Sequence, residues 1–518
     1  MQFHFSSGSV SSHFVLPTII AALLGLLASC SAPTAGVTDV TIATNITSMV
    51  AGASTSLDVE VKGSGGASLD VTWTSSNPAV ATVDPNGLVQ ALSQGESVIT
   101  ATSDYDPSKR DTITISVVPL WETKFGTAET DLDAGIAFDG SGRLIVPGYT
   151  YGSIAVPNRG EDDAFLRVFE ADGRLAWEKQ FGTAEPDRAH AVDVDEANRI
   201  VIAGSISGAI AGPSAGARDA LVRIYTPEGD VAWEDQFGSS GEDVPWSLKV
   251  SEDGRIAVAG FTTGNLFRNV SATDSRHAFV RVYDAEGSVA WEDQFEWSGR
   301  SGAYGTAFDA DGRLIVVGKR NDALPGPDEA DLDGFVRVYT RDGTVAWEDT
   351  IRTDLDDEVL GVAVDDANRI AVVGYTEGHL ADDAAGSVDA WVRVYEPGGG
   401  IAWERQFGTA TEDYAFNLAV DAHQRIIIVG ATSGDLAGRN AGGLDAFVRT
   451  YTPDGEVAWE IQYGSDEDDY AFSIALDDAG RIGISGSTTG DLIGTNTSED
   501  LDVYVRLLGP DGALPTGP

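Results

Sequence analysis

Six aspartates recur at one position of a long repeated pattern: Asp131, Asp187, Asp243, Asp357, Asp413 and Asp469, with Ser301 in the remaining copy. Carboxylate oxygens are hard ligands, and clusters of them hold Ca²⁺ or a similar cation. Glu129, Glu185, Glu242, Glu412, Glu467 and Asp468 crowd the same segments, so a Ca²⁺ site is one reading of the series. The other is that each Asp accepts backbone N–H bonds and fixes its own turn. A repeated fold alone would ask for a repeated residue there. A second series (Asp163, Asp219, Asp333, Asp389, Asp445, Asp502, with His277 in the remaining copy) opens a strand-like run and reads as capping.

The fourth copy departs from the pattern. It reads "WEDQFEWSGRSGAYGTAFD" over 291–309, with Glu296 in place of Gly, an added Trp297, and Ser301 in place of Asp. Trp297, Arg300 and Tyr304 interrupt an acidic rim with aromatic and basic groups, where a carbohydrate or peptide could bind. Local drift without function is the alternative. Nucleophilic and zinc chemistry find no support in the spacing. There is no HExxH or P-loop, the lone cysteine is Cys30, and His190, His277, His379 and His423 fall at unrelated repeat positions. The expectation is a protein that is not an enzyme, with no catalytic residue and no cofactor beyond the Ca²⁺ reading.

The formal charge of -48 and pI of about 4.2 repel nucleic acid and anionic lipid headgroups. Cations and basic proteins are the partners such a surface attracts. The first 29 residues carry no charge, and "FVLPTIIAALLGLLAS" (14–29) is apolar over the length of a signal-peptide core. The segment ends in Leu27-Ala28-Ser29-Cys30, which resembles a bacterial lipobox. That resemblance implies a signal peptide over 1–29, lipidation at Cys30, and a lipid as the sole membrane anchor. The outer membrane or cell surface is then favoured, because Ser31 rather than Asp follows Cys30. A tether occupies 30–36.

From Val37 the chain shows short period-two runs such as "LDVEVKG", "LDVTWTSS" and "DTITISVV", punctuated by Asn, Pro, Gly and Asp. Runs of this spacing make a β-sandwich, assigned to 37–119. Trp73, "SSNPAVATVD", the Asn86-Gly87 turn and "GESVITA" make the segment similar to the bacterial immunoglobulin-like group 2 domain. That family implies a spacer or adhesion module, with Trp73 in its core.

Beyond it the sequence repeats. Trp121, Trp177, Trp233, Trp291, Trp347, Trp403 and Trp459 are 56 residues apart, save one interval of 58, and each is followed by Glu. Arg167, Arg223, Arg281, Arg337, Arg393, Arg449 and Arg506 keep the same beat. Each copy reads strand, tight turn, strand, long Gly-rich loop, strand, tight turn, strand. Such four-stranded meanders, repeated around an axis, predict an all-β chain with a seven-bladed β-propeller over 120–518. Repeats starting at about 121, 177, 233, 291, 347, 403 and 459 also resemble the bacterial SBBP propeller repeat, on "WERQFGTATEDYAFNLAVDAHQRIIIVGATSGDLAG" (403–438) and "GGLDAFVRTYTPDG" (442–455).

Counting back from the "TPDG" turn sets Arg449 opposite Trp459, a cross-strand pair ten residues apart in six hairpins. A stacked guanidinium and indole, or a Trp that merely fills space between blades, both suit this spacing. Arg506 lacks its Trp and Trp121 lacks its Arg. The expectation is that "LWETKFG" (120–126) lies beside "VYVRLL", so that Arg506 meets Trp121 and the ring closes. The long loops then share one face, where binding belongs. The functional expectation is a monomeric, lipid-anchored extracytoplasmic binding or scaffold protein with a surface protein or glycan as partner. The alternatives are a propeller enzyme of the lyase or quinone-dependent dehydrogenase type, and a Ca²⁺-dependent structural envelope protein.

Overall fold

Alternating apolar residues cut by Asn, Asp, Gly and Pro leave strands as the regular structure. The computed structural model describes residues 34–44, 46–267, 276–295, 297, 299–321, 332–381, 385–494 and 500–515, and no helix occurs among them. The expected signal peptide and Cys30 lie outside the described residues.

Three small sheets form the N-terminal part. Gly36–Ile42 pairs with Val59–Ser64, Ser48–Val50 joins Arg110–Val118, Gly95–Ser103 and Val71–Ser75, and Ser54–Ser56 joins Leu88–Ala91 and Ala81–Val83. Val89, Ile99, Ile115 and Val117 of these strands, with Leu57 from the link after Ser56, make one core with Trp73 packed against it. Gly87 turns back at φ +84°, and its missing side chain leaves room for that indole, 3.2 Å from where a Cβ would stand.

The repeats form seven antiparallel sheets, none closed on itself. The sixth shows the plan. Its inner strand Asp413–Val420 pairs with Ile426–Thr432, then Asp445–Tyr451, then the outer strand Val457–Tyr463. The second strand is buried at every residue, so its apolar run "IIIVGAT" is covered on both faces. The seventh sheet, Asp469–Leu476, Ile482–Thr488 and Asp502–Leu508, takes its fourth strand from Glu122–Phe125. Neighbouring inner strands touch, and Ala137–Phe138 of the first sheet contacts the inner strands of both the second and the seventh.

The hairpin register corrects the expected Arg–Trp pair. Tyr451 faces Val457 as counted, but Ala458 is an extra residue, so Thr450 faces Trp459 and Arg449 faces Glu460. One bulged residue moves the partner by one position. The same shift occurs in the other five hairpins that hold a Trp. Arg506 likewise stands opposite Glu122, not Trp121, and its Nε donates to Glu122 Oε2 at 2.8 Å. Six of the seven Arg use a second surface too, a ring of the preceding sheet. Arg167 lies over Phe125 at 4.3 Å, Arg449 over Phe407 at 4.5 Å and Arg506 over Tyr463 at 4.3 Å, each ring belonging to the preceding sheet.

Trp does the sheet-to-sheet work in another way. Gly455, at φ +81°, leaves its Cβ position 2.8 Å from the Trp403 ring of the preceding sheet, and Trp403 Nε1 donates to Pro453 O at 3.1 Å. An arginine that the repeat reading passed over joins it: Arg369 Nη1 donates to the same oxygen at 3.3 Å. Trp177 and Arg143 meet on Pro227 O in the same way, at 3.1 and 3.0 Å. Arg143, Arg199, Arg255, Arg313, Arg369, Arg425 and Arg481 keep the 56-residue beat and were findable on that ground alone.

Candidate functional site

The long loops and the starts of the inner strands share one face, because three successive reversals put the two tight turns of each sheet on the other. Here the first Asp series fixes turns. Asp131 Oδ2 accepts from Thr127 N at 2.5 Å, Asp243 Oδ2 from Ser239 N at 2.6 Å and Asp413 Oδ2 from Thr409 N at 2.6 Å. Asp187 accepts from Thr183 N, Asp357 from Thr353 N, and Asp469 Oδ2 from Ser465 N at 2.5 Å. The six are spread one per sheet. Among the described residues no three His, Cys, Asp or Glu side chains come together to share an ion.

The second Asp series holds the long loops. Asp445 Oδ2 accepts from Ala441 N at 3.0 Å and from Gln462 Nε2 at 2.9 Å, while Gln462 Oε1 receives Leu436 N and Ala437 N. The two series meet around one glycine. A Cβ on Gly182 would lie 2.1 Å from Asp163 Oδ1 and 3.0 Å from Asp187 Oδ2, and Gly126, Gly238 and Gly408 sit between such pairs too. Burial raises the pKa of Asp187, against its hydrogen bonds, and the Asp163 charge adds to the rise.

Trp297, Arg300 and Tyr304 do not share contacts. Trp297 packs edge-on against Phe295 and Phe335 at 5.1 and 4.7 Å, with Arg337 and Arg320 over its faces. Arg300 is exposed, and its carbonyl accepts from Asn321 N. Tyr304 faces the axis of the inner strands, 6.3 Å from Trp246 and 5.4 Å from Lys319 Nζ.

The inner strands enclose a cavity of about 480 Å³. Each inner strand of the second to seventh sheets carries a bulge near its start, and the extra residue is His190, Trp246, Tyr304, Leu360, Phe416 or Phe472. Bulges re-aim a side chain. His190, Trp246, Tyr304 and Leu360 line the cavity itself. Burial holds His190 well below the usual imidazole range, at about 3, and Ser205 Oγ lies 2.9 Å from its Nε2, so the ring is neutral. Lys319 pairs with Glu358 beside Tyr304.

Where the first and seventh sheets meet, a buried carboxylate takes part in the contact. Asp133 is buried and accepts from Ser485 Oγ at 2.7 Å and Ser487 Oγ at 3.3 Å. Burial pushes its carboxyl up to about 6, with the two serines pulling it down. The signal was available: the corresponding residues are Ala189, Pro245, Ala303, Val359, Ala415 and Ala471.

Comparison with known proteins bears on the N-terminal part most directly. Residues 36–113 match the family model described as bacterial Ig-like domain (group 2). A curated relative, the regulatory protein FlaEY of Caulobacter vibrioides, is 26% identical over 142 residues, which cover 25% of this chain and 15% of that protein. Among solved structures, Sqt1 from Chaetomium thermophilum aligns at 13% identity over 75% of this chain and 100% of its own, with a TM-score of 0.42. A gluconolactonase from Xanthomonas campestris aligns at 13% identity over 75% of this chain and 89% of its own, with a TM-score of 0.35. The chain thus carries a bacterial Ig-like domain of group 2 over 36–113, followed by a β-rich repeat region of seven antiparallel sheets.

Proposed function

We propose that this chain is a non-enzymatic, lipid-anchored extracytoplasmic binding or scaffold protein. Its Ig-like domain lifts a seven-bladed β-propeller of the SBBP type away from the membrane, and the long-loop face takes a protein or glycan partner. The propeller is sealed by its own N-terminal strand. The observation that carries the architecture is the pairing of Glu122–Phe125 with Asp502–Leu508, set beside the contacts of Ala137–Phe138 with the inner strands on either side.

Two features support binding at the long-loop face. The side chains there vary from copy to copy while the scaffold beneath them repeats, and bulges turn the Trp246 and Tyr304 rings toward the axis. Loops and strand ends on a rigid frame are where recognition concentrates. The experiment is a glycan array read together with a pull-down from envelope extract. Capture that is lost when Trp246 and Tyr304 are both replaced by Ala supports the reading. Capture untouched by those changes contradicts it.

A further inference from the structure

The fifth, sixth and seventh sheets bring five rings together at the long-loop face. Tyr414 and Phe416 stack at 4° with centroids 6.0 Å apart, and Tyr470 and Phe472 stack at 9° and 5.2 Å. Phe416 meets Phe472 at 5.1 Å, and Tyr375 meets Tyr414 at 5.1 Å. The result is one continuous ladder across three sheets. All five residues are half-buried, so each keeps some surface open to solvent. Phe416 and Phe472 stand there because each is the extra residue of its inner-strand bulge. Folding does not require rings at these positions: the first copy has Leu132 and Ala134 where the sixth has Tyr414 and Phe416.

Carboxylates edge the ladder. Burial raises the pKa of the Tyr414 and Tyr470 phenols, and the carboxylates raise them further, Glu412 and Glu377 beside Tyr414 and Asp468 and Glu412 beside Tyr470. Glu377 and Glu412 are exposed. Ring faces carry the negative end of the aromatic quadrupole, and the carboxylates add full charges of the same sign. An anion is repelled there, and a neutral sugar gains nothing from the charges. A soft cation gains from both.

We propose that the Tyr375–Tyr414–Phe416–Phe472–Tyr470 ladder, edged by Glu377, Glu412 and Asp468, binds a quaternary ammonium group. The proposal rests on the reading that the long-loop face is the binding face, and it names the chemical group recognised there.

The test is calorimetric titration of the full chain with choline and with 3,3-dimethylbutan-1-ol, in which a neutral tert-butyl group replaces the trimethylammonium. Choline should bind roughly tenfold or more tightly than the alcohol, the gain expected of a charge over ring faces. Phe416→Leu and the double change Tyr414→Leu/Phe416→Leu should each weaken choline. Glu412→Gln/Asp468→Asn should weaken it and flatten its salt dependence. Circular dichroism melts show which variants keep the fold, and Phe416→Leu is the mildest of them. No choline binding, equal binding of the two probes, or choline binding indifferent to Phe416→Leu in a folded variant each overturns the proposal. If choline fails while the array or pull-down still captures a partner through Trp246 and Tyr304, the cation is wrong and the binding face stands. If both fail, the face itself is wrong.

Discussion

The indole Nε1 of Trp121 and the guanidinium of Arg481 donate to one oxygen, the carbonyl of Ala171, at 3.1 and 2.8 Å. The two residues lie at opposite ends of the repeat region. The same shared acceptor joins Trp177 to Arg143 on Pro227 and Trp403 to Arg369 on Pro453. Trp121 therefore does for the seventh and first sheets what an internal Trp does for its neighbours, and the last copy needs no Trp of its own.

Replacing Trp121 by Ala should cost about 3 kcal/mol, the low end for a Trp-to-Ala change, since the ring is half-buried. Trp177→Ala should cost a similar amount. Thermal or urea melts of the two variants, side by side, make the comparison. A neutral Trp121→Ala beside a damaging Trp177→Ala would show that the first strand is dispensable.

Asp133 makes the junction between the first and seventh sheets pH-sensitive. Its carboxyl is raised from 3.8 to about 6 by burial, so the folded chain holds this proton more tightly than the unfolded one. Its contribution is complete below the unfolded value and is lost as pH rises through about 6. Asp133→Asn removes the titration while keeping an acceptor for Ser485. The variant's melting temperature, relative to the parent's, should rise between about pH 5 and about pH 7.5. An unchanged difference across that interval would contradict the assignment.

Gly182 shows why a glycine follows "QF" in this copy. An added methyl would land on the buried Asp163 carboxylate, so Gly182→Ala should destabilise by about 1–3 kcal/mol. Asp163→Ser in the same chain should recover part of the loss. A melt of single and double variants reads this directly, and an unperturbed Gly182→Ala would refute the packing argument.

The proposed lipidation at Cys30 predicts that labelled palmitate enters the chain in a bacterial host, and that Cys30→Ser abolishes the label and moves the protein to the soluble fraction. Label that persists in Cys30→Ser places any acyl group elsewhere.

Much of this was legible because a repeat writes each constraint seven times. The 56-residue beat of Trp and Arg marked the strand order within each sheet, and alternation in "DTITISVV" marked the N-terminal sandwich. The register was not legible. A bulge at Ala458 leaves no mark in composition, so counting back from the turn sets Arg449 against Trp459 when its partner is Glu460. The ion pair that results, at 2.6 Å and repeated as Arg506–Glu122, explains why Glu always follows Trp. The fourth copy could have been read further. His277, Glu296 and Ser301 depart together from Asp, Gly and Asp, positions that converge on one point in the copies around Gly126, Gly182 and Gly238. Phe416 and Phe472 were hidden for the same reason as the register: only a bulge turns them out.

Closure of the seven sheets into a ring is the claim on which the cavity between the inner strands and the binding face depend, and a disulfide tests it most directly. Glu122 and Arg506 are direct cross-strand neighbours. In a Cys30→Ser background, Glu122→Cys/Arg506→Cys should oxidise to an intramolecular disulfide as readily as the hairpin control Arg223→Cys/Glu234→Cys, whose residues face each other in the same way. The closed chain should run as a compact species on a non-reducing gel and melt at a higher temperature than its reduced form. Free thiols at 122 and 506 under conditions that fully oxidise the control would contradict a sealed ring.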